Sequence, residues 1–303
     1  MRIVFMGTPE FAVPSLQILH ENGYEIVGVI TAPDKPKGRG KKLQGTPVKE
    51  YAASVGLRIL QPTNLKSDEF IAVLKSLQAD LQIVVAFRML PEVVWDMPAG
   101  GTFNLHGSLL PQYRGAAPIN WAIMNGETET GVTTFFLKHE IDTGSVILQE
   151  KEPIGLEDTV GDVYERLMHK GAKLVLKTVQ AIDAGSVELS PQIESDDLKI
   201  APKIHKETCE IDWNQNSEQI RNLIRGLSPY PAAWTSLGDK KFKIYKTKLA
   251  DRNTAKAIGQ FDTDNKTYLS VKTADGWLDL LELQMEGKKR MLIEDLLRGY
   301  KFD

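Results

Sequence analysis

Cysteine is nearly absent from this chain of 303 residues, which contains Cys209 and no second thiol. One cysteine cannot form a disulfide within the chain, so we expect a reducing compartment and predict a cytoplasmic location. The five histidines are scattered along the sequence, and no Cys/His group has the spacing of a zinc site. The sequence therefore predicts no metal cofactor.

Long apolar runs and a strong charge of one sign are also missing. No stretch approaches the roughly 18 apolar residues that span a membrane, and the apolar run at residues 3–6 is too short for a signal peptide. The formal net charge is -3, so a nucleic-acid partner would have to bind a local basic patch. The length and the hydrophobic fraction of 42% are typical of a globular chain with two domains.

Short apolar runs alternate with helical patterns in the first part of the chain. Strands are predicted at residues 25–31, 58–60, 83–87 and 102–105, and Ser67 is predicted to cap one of the helices. This alternation predicts an α/β fold with a Rossmann-like, mostly parallel sheet and helices on both faces. Two further strands, at residues 131–137 and 145–149, are joined by a short link that favours an antiparallel edge.

The pattern changes after a polar stretch at residues 191–206. Alternating strands are predicted at residues 233–237, 241–248, 268–273 and 277–284, with Asp275-Gly276 as a hairpin signal and a short helix near residues 293–297. Several short strands within so few residues predict a small, OB-like β-barrel. We therefore predict a catalytic domain at residues 1–190, a linker at 191–206 and a C-terminal domain at 207–303.

The most informative segment combines an amide and an imidazole at the end of a predicted strand. Asn104 and His106 are two residues apart, so their side chains lie on one face of the strand, and the loop begins at Gly107. Asp142 lies in a polar turn of the predicted hairpin link. These groups suit acyl transfer to an amine, because Asn104 and His106 can donate to an oxyanion and Asp142 can help to remove the proton of the amine.

Taken singly, these patterns are weak. An Asn-x-His pair on a strand is more often structural, and Asp142-Thr143-Gly144 is a common turn sequence. A nucleotide-binding oxidoreductase is a rival interpretation of the first strand and loop. It would require Gly-x-Gly-x-x-Gly, whereas Gly7 is the one glycine of the corresponding segment.

The decapeptide that runs from His106 to Gly115, HGSLLPQYRG, resembles a signature of the formyltetrahydrofolate-dependent formyltransferases. Asn104 and Asp142 also stand where that family has them, and segments along nearly the whole chain are similar to it. The resemblance implies that Asn104, His106 and Asp142 are catalytic. It also implies 10-formyltetrahydrofolate as co-substrate and a C-terminal OB-like barrel that binds tRNA. The folate site implied by the signature is lined by Ser108, Leu109, Leu110 and Pro111.

A second folate-site element departs from the family pattern. Residues 86–91 read Ala-Phe-Arg-Met-Leu-Pro, one residue shorter than in many relatives and without their glycine. In the family this element borders the pterin pocket. The resemblance therefore implies that Phe87, Arg88 and Leu90 contribute to folate binding.

A basic segment near the N-terminus resembles the tRNA-contacting insertion of some members of the family. Its cations are Lys35, Lys37, Arg39, Lys41 and Lys42, and its glycines and prolines give it no core of its own. The resemblance implies that a monomeric enzyme formylates the α-amino group of methionine on charged initiator tRNA. Rival interpretations are formylation of glycinamide ribonucleotide or a sugar amine, a tRNA-binding module without activity, and a merely solvated charged loop.

Overall fold

The computed structural model describes residues 1–37, 42–193 and 195–302. Their contacts form two compact units. The first unit comprises Met1–Gly115, Thr130–Glu152 and Tyr164–Ile200. The second comprises Ala116–Glu129, Pro153–Val163 and the described residues from Ala201 onward. The domain boundaries near residues 190 and 206 stay a prediction.

Nine of the first ten strands form the main sheet and a small hairpin. In chain order the ten strands are β1 (Arg2–Gly7), β2 (Glu25–Ile30), β3 (Lys35–Lys37), β4 (Lys42–Gln44), β5 (Ile59–Leu60), β6 (Leu81–Val85), β7 (Thr102–His106), β8 (Arg114–Gly115), β9 (Glu129–Phe136) and β10 (Val146–Pro153). Seven of them form one sheet in the order β10-β9-β7-β6-β1-β2-β5, and β3 pairs antiparallel with β4. Neighbours from β5 to β7 are parallel and β9 is antiparallel to β7, which confirms the predicted mostly parallel sheet.

Helices connect and cover these strands. They are α1 (Val13–Glu21), α2 (Pro47–Ser54), α3 (Asp68–Ser76), α4 (Glu92–Trp95) and most of α6 (Val160–Asp183), whereas α5 (Pro118–Met124) belongs to the second unit. The Ser67 hydroxyl accepts from the Phe70 N–H at 3.4 Å, which confirms the predicted cap of α3. In β1 the side chains of Ile3, Val4 and Phe5 are fully buried, as expected of a central parallel strand.

Close packing against α6 fixes the position of β7. A Cβ atom on Gly171 would lie 2.7 Å from Leu105 Cδ2, so glycine is what allows α6 to approach the strand this closely. Beside it, the Thr178 and Thr134 hydroxyls are hydrogen-bonded at 2.8 Å. β7 is therefore a rigid support for the residues at its carboxyl end.

The second unit contains an antiparallel sheet, in agreement with the predicted β-rich domain. The remaining elements are β11 (Ile200–Ala201), α7 (Ser217–Leu227), β12 (Ala233–Leu237), β13 (Lys240–Ala250), β14 (Phe261–Thr263), β15 (Leu269–Lys272), β16 (Trp277–Met285), β17 (Met291–Leu292) and α8 (Ile293–Leu297). The sheet order is β12-β13-β16-β15-β14, with β17 paired to β16. A buried core that includes Phe242, Leu278 and Leu297 underlies it. None of the helices in the described ranges has both the length and the apolar character needed to cross a membrane.

Candidate active site

The predicted catalytic pair lies at the carboxyl end of β7, in the interior of the main sheet. Asn104 is paired in register with Val84 of β6 and with Phe135 of β9, and its side chain is partly exposed. His106 is the last residue of the strand and is 5% exposed. Because the carboxyl ends of parallel strands form the usual ligand edge of such sheets, the pair occupies a position suited to binding.

Both nitrogens of the His106 ring face acceptors. Nε2 lies 2.9 Å from the Tyr113 carbonyl oxygen, and because a carbonyl only accepts, Nε2 carries a proton. Nδ1 lies 3.7 Å from Asp142 Oδ2, which is an ion-pair separation but too long for a direct hydrogen bond. The structure thus brings Asp142 to the imidazole, with room for a small adjustment between the two groups.

Asp142 is held by its own backbone and by the loop that follows β7. Its φ of 57° lies in the left-handed region, and Oδ2 accepts from the Gly115 N–H at 3.0 Å. Two residues later, a Cβ atom on Gly144 would lie 1.6 Å from the Phe136 carbonyl oxygen, so this position requires glycine. The carboxylate is 12% exposed. A buried, constrained acid is the arrangement that proton transfer needs.

Gln192 is a site residue that the sequence did not reveal. Its Nε2 donates to the carbonyl oxygens of Asp142 and Gly144, each at 2.8 Å. Its Oε1 accepts from Arg114 Nε at 3.0 Å and from Arg114 Nη2 at 2.7 Å. Gln192 lies in the polar stretch predicted as a linker, where no periodicity or motif marks it. Arg114, by contrast, belongs to the signature decapeptide.

The four residues predicted to line the folate site lie in the loop directly after His106. Ser108 is fully buried and its hydroxyl donates to the Gln112 carbonyl at 2.6 Å. The Leu110 N–H donates to Thr133 Oγ1 at 3.1 Å. Leu109 and Pro111 are partly exposed in the same loop. These contacts give the loop a fixed shape beside the catalytic pair.

The other predicted folate element follows β6, the neighbour of β7 in the sheet. Leu90 is buried in a core cluster of the first unit, and Phe87 is partly buried and packs against that cluster. Arg88 is exposed, and its guanidinium donates to the carbonyls of Thr63, at 3.0 Å, and Pro62. Because β6 and β7 are parallel neighbours, this element and the signature loop lie at the same edge of the sheet.

The basic segment is described in part. Lys35 is exposed on β3, Lys37 ends that strand and Lys42 begins β4, whereas Arg39 and Lys41 lie outside the described residues. At the base of the segment, Asp34 accepts from Gln61 at 2.8 Å and pairs with Lys49 at 2.6 Å. These hydrogen bonds hold the pKa of Asp34 below its ordinary value, so the carboxylate stays charged and anchors the strand.

Two family models match the chain. The model described as Formyl transferase matches residues 1–179, and the model described as Formyl transferase, C-terminal domain, matches residues 203–301. Asn104, His106 and Asp142 all lie within the first match, and the sheet formed by β12 to β17 lies within the second.

Curated relatives match over nearly the full length. A methionyl-tRNA formyltransferase of Phocaeicola vulgatus is 60% identical over 311 residues, which cover 99% of this chain and 96% of that protein. Proteins of the same name from Bacteroides fragilis and Flavobacterium johnsoniae are 56% and 52% identical, covering 99% and 100% of this chain and 95% and 97% of their own lengths.

Solved structures share the fold at lower identity. WlaRD, a sugar 3N-formyltransferase, superposes with a TM-score of 0.68 at 23% identity, covering 95% of this chain and 99% of that chain. HypX from Aquifex aeolicus in complex with tetrahydrofolic acid superposes with a TM-score of 0.67 at 19% identity, covering 100% of this chain and 48% of that chain.

Proposed function

The chain belongs to the formyl transferase family, and we propose that it transfers the formyl group of 10-formyltetrahydrofolate to the α-amino group of methionine on charged initiator tRNA. The product would be N-formylmethionyl-tRNA, which serves translation initiation. The observation that carries the proposal is the cluster of Asn104, His106 and Asp142 at the carboxyl end of β7. The methionyl-tRNA acceptor is supported by relatives of that name at 52% to 60% identity.

The transfer begins when the amine nitrogen attacks the formyl carbon and the carbonyl electrons move onto oxygen. Asn104 is the first candidate to stabilise this oxyanion, because its amide N–H groups lie on a partly exposed side chain at the ligand edge of the sheet. The Nε2–H of His106 already donates to the Tyr113 carbonyl, so an oxyanion contact from that atom would have to replace this bond. The tetrahedral intermediate then collapses, the bond from carbon to the folate nitrogen N10 breaks, and N10 takes up a proton.

The proton that leaves the amine needs an acceptor. Asp142 Oδ2 and His106 Nδ1 face each other, and in the neutral ring Nδ1 is unprotonated because Nε2 carries the proton. Before the transfer, the Nδ1 lone pair of His106 and the Asp142 carboxylate repel each other. One proton taken up between them makes the contact attractive. The pair therefore acts as general base in this proposal, and the same proton can later be delivered to N10.

Folate binding is assigned to the two loops at the edge shared by β6 and β7. Ser108, Leu109, Leu110 and Pro111 form one wall, and Phe87, Arg88 and Leu90 form the other. Leu110 is fixed further by Gln149, whose Nε2 donates to its carbonyl at 2.8 Å. Partly apolar walls on ordered loops suit a flat pterin ring, whose polar edge can bond to main-chain groups.

Contacts with tRNA are assigned to two cationic regions. The first is the segment from Lys35 to Lys42, with Arg39 as the cation best suited to enter a groove because it lies between two glycines. The second lies in the C-terminal domain proposed for residues 207–303, on β13. Its exposed lysines are Lys240, Lys241, Lys243, Lys246 and Lys248. Beside this strand is a cavity of about 630 Å³ lined in part by Tyr230, Trp234 and Lys241. Phosphates would bind the lysines through charge, largely without regard to sequence.

The deciding experiment is a transfer assay with 10-formyltetrahydrofolate and three acceptors: methionyl-tRNA, glycinamide ribonucleotide and a dTDP-linked amino sugar. We expect transfer to methionyl-tRNA, with the two small acceptors inactive. Asp142→Asn serves as the control with a strongly reduced transfer rate. Transfer to a small acceptor alone would refute the tRNA assignment while retaining the formyl chemistry, and no transfer at all would refute both.

The basic segment has a separate test. Arg39→Ala should raise the KM for methionyl-tRNA while the KM for the folate stays unchanged, because a phosphate or groove contact acts on one substrate only. Lys66→Ala, which removes a cation from another exposed loop, is the matched control. Unchanged kinetics for Arg39→Ala would show that the segment is a solvated loop that does not bind tRNA.

The remaining proposals concern the state of the protein in the cell. We place it in the cytoplasm, where charged tRNA and reduced folate are found, and propose that it acts as a monomer. Light scattering should then give a single species of 33.8 kDa. A stable dimer at micromolar concentration would contradict the monomer.

A further inference from the structure

We infer that Gln192 is a positioning residue for the transfer reaction, because it locks the turn that carries Asp142 to the loop that carries Arg114. The inference rests on the proposed function and adds a component to its site. Gln192 does not touch the imidazole of His106 in any of the contacts described above. Its influence would pass through the backbone of Asp142.

The Gln192 amide is fully used as a connector. A side-chain amide has two N–H donors and an oxygen with two acceptor sites. Here Nε2 donates to the carbonyls of Asp142 and Gly144, and Oε1 accepts twice from the guanidinium of Arg114. The four bonds range from 2.7 to 3.0 Å. Loss of the donor group would remove the bonds to the Asp142 and Gly144 carbonyls, and loss of the acceptor would remove two bonds from Arg114.

The connection matters because it adds to the other contacts that hold this turn, and it is the one that ties the turn to Arg114. Asp142 adopts a φ of 57°, which an L-residue other than Asn or Asp rarely adopts. The carbonyls of Asp142 and Gly144 both accept from the Gln192 amide. On the other side of the carboxylate, Gly115 N–H donates to Oδ2, and Gly115 directly follows Arg114. Gln192 thereby holds the acid and its hydrogen-bond donor in one rigid arrangement.

The separation between His106 and Asp142 makes the reaction sensitive to this arrangement. Nδ1 and Oδ2 are 3.7 Å apart, so a shift of a few tenths of an ångström decides whether a proton can bridge them. A misplacement of about 1 Å can cost about 100-fold in rate. Loss of the Gln192 amide should therefore slow the chemical step and leave substrate binding nearly unchanged.

The test compares kcat and KM for Gln192→Met and Gln192→Glu in the full-length protein. Met keeps the length and removes all four hydrogen bonds, and we expect kcat to fall by roughly 10- to 100-fold with both KM values within about twofold. Glu keeps the acceptor for Arg114 but sets carboxylate oxygens against two carbonyls, so it should not restore the rate. Gln17→Met, on the surface helix α1 where Gln17 bonds only to Glu21 in the contacts described, is the matched control.

A double-mutant cycle separates positioning from general damage. In an Asp142→Asn background, Gln192→Met should have an effect of less than about twofold, because the group that Gln192 positions is already disabled. Equal losses in both backgrounds would show that Gln192 has only a structural role and would overturn the inference. A wild-type protein without formyl transfer would refute the proposed function itself, whereas an active wild type with an unaffected Gln192→Met variant would refute the inference alone.

Discussion

The cluster at the end of β7 and the lysines on β13 differ in how the protein holds them. His106 is buried and Asp142 is mostly buried, and their side chains contact defined atoms of the Tyr113 and Gly115 backbone. The β13 lysines are all exposed, and Lys243 makes one bond, to the Pro231 carbonyl at 3.2 Å, while Lys241 lies 4.7 Å above the Trp234 ring. The first region is held by specific contacts, and the second presents its charge on long, exposed side chains.

The difference follows from what each region is proposed to do. Acyl transfer requires groups placed in advance where charge will develop. Attraction of phosphates is long-range and tolerant of position, and its strength is spread over several cations. Single substitutions should therefore have large effects on kcat in the first region and small effects on KM in the second.

The largest effect is expected for Asp142→Asn. Removal of a general base costs 100- to 10,000-fold, and we expect kcat to fall by about 1,000-fold without a change in either KM. Asn tolerates the left-handed backbone at this position, and its carbonyl oxygen can still accept from the Gly115 N–H. The fold should therefore survive, which thermal unfolding would confirm. A rate within tenfold of wild type would remove Asp142 from the chemistry.

Asn104→Ala is expected to have the next largest effect. Loss of one oxyanion donor typically costs 100- to 1,000-fold, and we expect a fall in kcat of about 100-fold. Pre-steady-state measurement of the transfer step would locate the effect in chemistry. Asn125→Ala, which also shortens an asparagine but lies at the end of α5, should transfer at the normal rate. An increase in the folate KM with kcat unchanged would instead assign Asn104 to binding.

The parts of the site that were predictable from the sequence are those determined by local geometry. Strand alternation places Asn104 and His106 on one face, and the signature loop must follow directly. The sequence predicts that Asp142 reaches the imidazole if the hairpin lies beside the strand that ends at His106. In the structure Asp142 Oδ2 lies 3.7 Å from His106 Nδ1. Gln192 was not predictable, because it meets Asp142 across 50 positions of chain through a side-chain amide that has no periodic pattern.

The same reasoning applies to the fold. The main strands and the helix near residues 293–297 follow from apolar periodicity, and they agree closely with the structure. β3, β14 and β17 contain two or three residues each, and β3 reads Lys-Pro-Lys. Segments this short, without apolar alternation, are formed by pairing with a partner strand, and pairing over distance leaves no local signal.

A smaller effect is expected from the double variant Lys241→Ala, Lys246→Ala on β13. The KM for methionyl-tRNA should rise by about fivefold, with kcat unchanged. The slope of log KM against the logarithm of the salt concentration should also fall by about 2, because two phosphate contacts are lost. The pair Lys66→Ala, Lys75→Ala in the first unit has the same charge change and serves as control. If both pairs alter the KM equally, net charge rather than β13 is responsible.

The smallest effect on the reaction is expected from a substitution of Glu152, a buried carboxylate of the first unit. This substitution tests whether burial alone makes an acid important for the reaction rate. Glu152 accepts from Arg166 Nε at 2.6 Å and pairs with Lys170 at 2.9 Å. Burial raises the pKa of Glu152, but the hydrogen bonds from Lys170 and Arg166 outweigh it and hold the pKa below its ordinary value. The unfolded chain therefore takes up the proton more readily. The stabilisation is complete above about pH 5 and is lost as the pH falls through the lower folded-state pKa.

Glu152→Gln should lower the free energy of unfolding at pH 7 by about 1 to 2 kcal/mol, as expected for the loss of charged hydrogen bonds, and leave kcat within twofold of wild type. Urea unfolding of both proteins from pH 7 to pH 3 should show the difference shrinking toward the acid end. A difference that is independent of pH would contradict the role of the Glu152 charge in stability. A large fall in kcat would instead show that the rate depends on buried acids elsewhere in the first unit. The catalytic cluster would then not differ from its surroundings in its effect on the rate.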